Sequence, residues 1–165
     1  MKLEIDLCFK SNKWPKSVIL KEKDLFLLLA LETMRAIKAS NLCDIVNIDL
    51  FFVSDAEIKR FNSEFRGKNS ATNVLSFPME DFSKGKIGKH KAESLHLGDI
   101  IFSFETINRE SVEQGKDFKN HLLHLFVHSM LHLLGYVHDL DEDREEMEKL
   151  EIAILKKFGI GNPYV

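Results

Sequence analysis

Residues 128–139 read HSMLHLLGYVHD, and this stretch sets out a helix, its end and a return of the chain. At ~100° per residue, His128 and His132 fall one turn apart, separated by only ~40° on one helical face. Gly135 permits the left-handed backbone on which helices commonly end. The chain can then fold back and bring His138 to the point at which the first two imidazoles converge. Three neutral imidazoles with one open position make the donor set of a catalytic zinc, whereas a structural site is closed by a fourth protein ligand. His124 also lies four residues before His128, but that pair has no glycine turn and third histidine behind it. His121 and His124 therefore read as buried hydrogen-bonding residues or as supports for the ligands.

Working outward, the helix that carries these histidines is expected from Asp117 to Gly135, after another that starts near Phe104 and stops near Gly115. Leu3, Ile5 and Leu7 alternate with Glu4 and Asp6, the period of a half-buried strand. Asp24 opens an apolar segment with Leu25, Leu28, Leu29 and Ile37, read as a helix ending near Ser40. Ile45 to Val53 is a strand with Val46, Ile48, Leu50 and Phe52 on one face. Ser54 and Glu57 have the spacing of a capping box. The helix they open is expected to bury Ile58, Phe61 and Phe65. Thr72 to Phe77 and Leu95 to Phe102 read as strands, joined by a polar, Lys-rich loop over residues 79–94. Met147, Leu150, Ile154, Leu155 and Phe158 mark a last amphipathic helix. This mixed order predicts an α+β fold, with a small mixed four-stranded sheet packed against several helices and the metal site at the end of a central helix.

At 165 residues the chain is expected to form a single domain over 1–165. Its 44% hydrophobic content and 13 phenylalanines allow a core without disulfide staples. Cys8 and Cys43 form no CxxC pair, which favours a reducing cytoplasm. No secretory signal and no run approaching the ~20 apolar residues of a membrane helix is read, so no membrane partner is expected. The net charge of -3 excludes an overtly basic nucleic-acid binder but hides local asymmetry. Acids crowd residues 139–151, while Lys59, Arg60, Arg66 and Lys68 form one basic group. Lys84, Lys86, Lys89 and Lys91 form another. Phosphate contacts are made locally, so a basic patch on an acidic protein can still hold a polyanion.

The spacing HxxxHxxGxxH is shared with metzincin proteases, in which a glutamate after the first histidine serves as general base. Here that position is Ser129, whose hydroxyl is no base near neutral pH, so a small metalloprotease is the less favoured reading.

The same segment resembles the YbeY endoribonuclease family, also called rRNA maturation factors. His128, Leu131, His132, Leu133, Gly135, Tyr136 and His138 stand where that family's H-G-x-L-H-L-x-G-Y-D-H motif wants them. FNSEFRGKNSATNVLSFPME (61–80) resembles its second signature, an arginine followed by T-[DN]-V-L-S-F-P. LHLGDI (95–100) resembles its L-G-D-I strand. Ser129 and Val137 depart from the pattern, replacing a glycine and an acidic residue.

The resemblance implies a zinc-dependent endoribonuclease that prefers single strands. Such proteins act in 16S rRNA 3′-end maturation and ribosome quality control, in the cytoplasm and on the small ribosomal subunit. It implies one Zn2+ per chain on His128, His132 and His138, with Arg66 and His128 catalytic. A bound metal ion acidifies water and polarises a phosphoryl oxygen; the ribose 2′-hydroxyl is an alternative nucleophile. Arg66 is suited to the negative charge that either route builds. Lys68, Lys84, Lys86, Lys89 and Lys91 are expected to contact RNA. His124 and Asp139 are expected to support the ligands, Asp139 replacing the acid lost at Val137. A monomer is expected. The other reading is a ribosome-assembly or RNA-binding factor whose metal is structural.

Overall fold

The alternation in IVNIDLFFV sends Val46, Ile48, Leu50 and Phe52 to one side of a strand, where each is wholly buried. That strand is β2 (Ile45–Val53) of a four-stranded sheet in a computed structural model of the chain, which describes residues 1–84, 87 and 90–165. Lys86 and Lys89 lie outside the described residues. The order of elements is β1 (Lys2–Phe9), α1 (Lys16–Lys21), α2 (Lys23–Ala36), β2, α3 (Asp55–Arg66), β3 (Val74–Pro78), β4 (Ser94–Ser103), α4 (Phe104–Glu113), α5 (Phe118–Leu133) and α6 (Asp141–Lys156). In space the strands run β1-β2-β4-β3. β1, β2 and β4 are parallel and β3 is antiparallel on the edge, so the fold is α+β with a mixed sheet, as the sequence predicts.

Parallel neighbours need long crossovers. α1 and α2 supply one between β1 and β2; α3 and β3 occupy the other, between β2 and β4. The main core lies on the face where Phe26 and Leu29 of α2 and Phe126 and Met130 of α5 pack with the sheet, and Met147 and Ile154 of α6 close it from behind α2 and α5. Helix α5 is buried on nearly all sides, which explains why apolar residues fill almost every position between its histidines. On the opposite face α3 covers a smaller cluster of Val53, Ile58, Leu75 and Ile101.

Three expectations need correction. α2 ends at Ala36 and buries Phe26, Leu29, Ala30, Thr33 and Met34, leaving Leu28 exposed, because the sheet meets the adjacent stripe of the helix. The short helix α1, for which the sequence pattern sets no expectation, is another difference. It follows Trp14, whose Nε1 donates to the Val53 carbonyl at 2.8 Å and whose ring packs on Phe52, Phe104 and Phe118. In α3, Ser54 caps through Glu57 N–H as the spacing predicts, but Phe65 is exposed, because near the helix's C-terminal end it meets only the edge of the Phe77 ring on the edge strand β3.

Candidate metal centre

Helix α5 ends in hydrogen bonds that the sequence around Gly135 dictates. Gly135 N–H donates to the His132 carbonyl at 3.1 Å and Tyr136 N–H to the Leu131 carbonyl at 2.9 Å, the pair of bonds that closes a Schellman motif. Gly135 has φ +93°, and a Cβ there would collide with the Phe82 carbonyl. Glycine is required twice over, for the turn and for the close approach of the loop after β3. The turn brings His138 back beside the helix, its ring centroid 4.9 Å from that of His132 and 5.5 Å from that of His128. One nitrogen from each of the three histidines lies within 4.8 Å of the others.

The remaining ring nitrogens decide what these imidazoles can do. His132 Nδ1 lies 2.9 Å from the Tyr136 carbonyl, which can only accept, so Nδ1 carries the hydrogen. His128 Nδ1 lies 2.5 Å from Glu151 Oε1. Burial alone would raise the Glu151 carboxyl, but hydrogen bonds from His124, His128 and Tyr164 outweigh it and bring it down to about 2. Glu151 is therefore an acceptor, and His128 Nδ1 is a donor. Both Nε2 atoms are left with lone pairs facing each other 3.0 Å apart. Burial, then the neighbouring His128, lowers His132 to about 4, so a shared proton is disfavoured at neutral pH. Two converging lone pairs with their donors committed elsewhere fit a borderline cation such as zinc.

Around this pair lies a layer that sequence reading missed in part. Glu151 is wholly buried on α6, and Tyr164, near the C-terminus, donates to its Oε2. His124, read as a buried partner, places Nε2 3.2 Å from both Glu151 Oε2 and the Tyr164 hydroxyl. His121 is buried against Glu110 at 2.7 Å, and Glu110 also accepts from Asn73, tying the start of β3 to α4 and α5. Ser129 is wholly buried and takes no part in the cluster. Asp139 is exposed and makes no hydrogen bond to His138 among the described residues. The carboxylate that orients one of these imidazoles is Glu151, reached from α6 because the acid falls on that helix's buried stripe.

The three histidines open onto a cleft of about 950 Å³ between the end of α5, the β3 edge and the loop after β3. Arg66 also lines it, donating from Nη2 to the Ser76 carbonyl at 2.7 Å, so the end of α3 is pinned to the edge strand. Among the described residues Arg66 is the one Lys or Arg lining the cleft, which Glu80, Asp81 and Asp139 also line. Among the described residues no lysine lines the cleft, and Lys86 and Lys89 of the expected wall lie outside them. Lys84 pairs with Asp143 at 3.2 Å and with Glu146, its charge taken up by the acids at the start of α6. Lys68 and Lys91 are exposed away from the cleft lining.

A second group of metal-type donors, Asp49, His96 and Asp99, lies on the outer face of the sheet. There His96 Nε2 is already 2.8 Å from Asp99 Oδ1.

Comparison with known proteins places the chain in a family. Residues 12–159 match the family described as Endoribonuclease YbeY. An endoribonuclease YbeY from Sinorhizobium medicae is 38% identical over 98% of this chain and 95% of its own. One from Chelativorans sp. is 46% identical over 72% of this chain and 69% of its own. The solution structure of TM1509 from Thermotoga maritima shares the fold, with a TM-score of 0.55 at 22% identity over 94% of this chain and 91% of that one. With the match running from before α1 to beyond α6, the chain belongs to the endoribonuclease YbeY family.

Proposed function

We propose that this protein is a zinc-dependent endoribonuclease that cuts single-stranded RNA in the cleft between α5 and β3. The observation that carries the reading is the pair of Nε2 lone pairs 3.0 Å apart, beside His138 and in the same cleft as Arg66. His128, His132 and His138 would hold one ion, which supplies Lewis acidity toward water and a phosphoryl oxygen. Arg66 binds the non-bridging oxygens of the scissile phosphate, and its permanent charge offsets the negative charge that grows there as the nucleophile adds. The Tyr136 carbonyl and Glu151 hold the Nδ1 hydrogens of His132 and His128, which keeps both rings in one tautomer and orientation through the reaction. Apart from Arg66, the charged residues lining the cleft are acidic, so RNA binding as well as cleavage is expected to need the divalent ion.

The family's description as endoribonucleases supports RNA as the substrate. On this reading the protein acts as a monomer in the cytoplasm, on the small ribosomal subunit, in 16S rRNA 3′-end maturation and quality control. Two free cysteines accord with a reducing compartment. The test incubates zinc-loaded wild type, Arg66→Ala and His132→Ala with single-stranded and duplex 16S fragments. Cleavage of the single strand by wild type alone is expected. Equal activity in all three would identify a contaminating nuclease and overturn the reading.

A further inference from the structure

The groove on the far side of β3 has no role in the mechanism above. It lies between α3 and the outer face of the sheet, with a volume of about 320 Å³, at the lower end of small-ligand pockets (~300–1,000 Å³). Its walls are aromatic. Phe61 and Phe65 stack with centroids 6.2 Å apart, Phe65 meets Phe77 edge-on at 5.6 Å, and Phe51 contributes from β2. Phe65, which helical periodicity assigns to the core, is 59% exposed here. Lys10, Glu57 and Asp99 also line the groove, with the aliphatic Val53 and Ile101.

Two observations say what would occupy it. The first is continuity with the cleft. The Arg66 guanidinium lies 5.6 Å from the centre of the Phe77 ring, while its Nη2 holds the Ser76 carbonyl. Arg66 lines the cleft and Phe77 the groove, so the two hollows meet at the β3 edge. A strand whose phosphate rests on Arg66 can therefore continue past the β3 edge toward the groove. The second is the chemistry of the walls. Aromatic faces take up planar bases regardless of sequence, and carboxylates repel phosphate but accept hydrogen bonds from amino groups on base edges.

We infer that this groove is a subsite for one unpaired, amino-bearing base of the RNA strand, stacked on Phe65 one step from the scissile phosphate. The inference rests on the proposed RNA substrate. Its test is a binding cycle by fluorescence anisotropy on zinc-loaded full-length protein. The probes are single-stranded 16S oligonucleotides carrying an abasic residue at each position in turn. Wild type should lose about ten-fold or more in affinity at one position, the size of a lost stacking contact. Phe65→Ala should bind the intact strand as weakly as wild type binds that abasic strand, and lose nothing further there. Phe65→Tyr should restore the affinity, and coincident far-ultraviolet spectra would show all variants folded. Equal abasic profiles for wild type and Phe65→Ala would overturn the subsite, while cleavage by the same wild-type sample would leave the nuclease reading intact. Coupling between Phe65 and one base without any cleavage would uphold the subsite and refute the nuclease. A Phe65→Ala defect confined to protein partners, with RNA binding unchanged, would overturn the subsite too.

Discussion

Among the described residues, two groups on opposite faces of one sheet each bring three metal-type donors within 4.8 Å. In the inner group the Nδ1 atoms of His128 and His132 are engaged by Glu151 and the Tyr136 carbonyl, so the Nε2 lone pairs point at one another. In the outer group His96 spends Nε2 on Asp99, and the cluster satisfies itself. Convergence of donors is common to both. What separates them is where the other hydrogen bonds go, and that depends on whether a second layer of residues surrounds the ligands.

The sharpest way to break this comparison is to remove one imidazole from each group. His132→Ala is expected to lower zinc affinity about 100-fold or more, and His96→Ala to leave it at the wild-type value, by competition with a chelating dye. Glu151→Gln removes the charge behind His128 and should weaken zinc about 10- to 100-fold by the same assay. Gly135→Ala forces a side chain into a left-handed turn against the Phe82 carbonyl, and should cost about 2 kcal/mol or more in denaturant unfolding. Tyr164→Phe deletes one hydrogen bond to Glu151 and should lower zinc affinity by up to about ten-fold, less than Glu151→Gln.

The smallest effect belongs to the outer group. Burial raises the Asp49 carboxyl, with repulsion from Asp99 and Asp6 acting against the attraction of His96. A carboxyl raised by folding costs nothing below its unfolded pKa and destabilises once pH passes its folded one. Asp49→Asn should therefore stabilise the fold at neutral pH by at most about 0.5 kcal/mol. That gain should shrink as pH falls through the carboxylate range in thermal melts.

Legibility followed distance along the chain. The HxxxH pair, the Gly135 turn and His138 lie within eleven residues, so helical geometry alone brings them together. The alternation of β2 predicts its buried face for the same reason. Glu151 left a faint local mark: with Met147, Ile154 and Leu155 it shares the buried stripe of α6, and a carboxylate on an apolar stripe asks for partners. Tyr164 left none, since its contact with Glu151 depends on how the C-terminal segment crosses the finished fold. Sequence alone offers Lys84 as an RNA contact, since the acids that take up its charge stand 59 and 62 residues away. Periodicity assigns Phe65 to the core because it identifies a helix face without telling how completely the fold covers that face.

X-ray absorption at the zinc edge of the stoichiometrically loaded protein tests the central claim most directly. The account predicts a first shell with three imidazole nitrogens at about 2.0–2.1 Å and an oxygen from solvent, lost in His132→Ala and retained in His96→Ala. A shell dominated by carboxylate oxygens, or one that His132→Ala leaves unchanged, would contradict it.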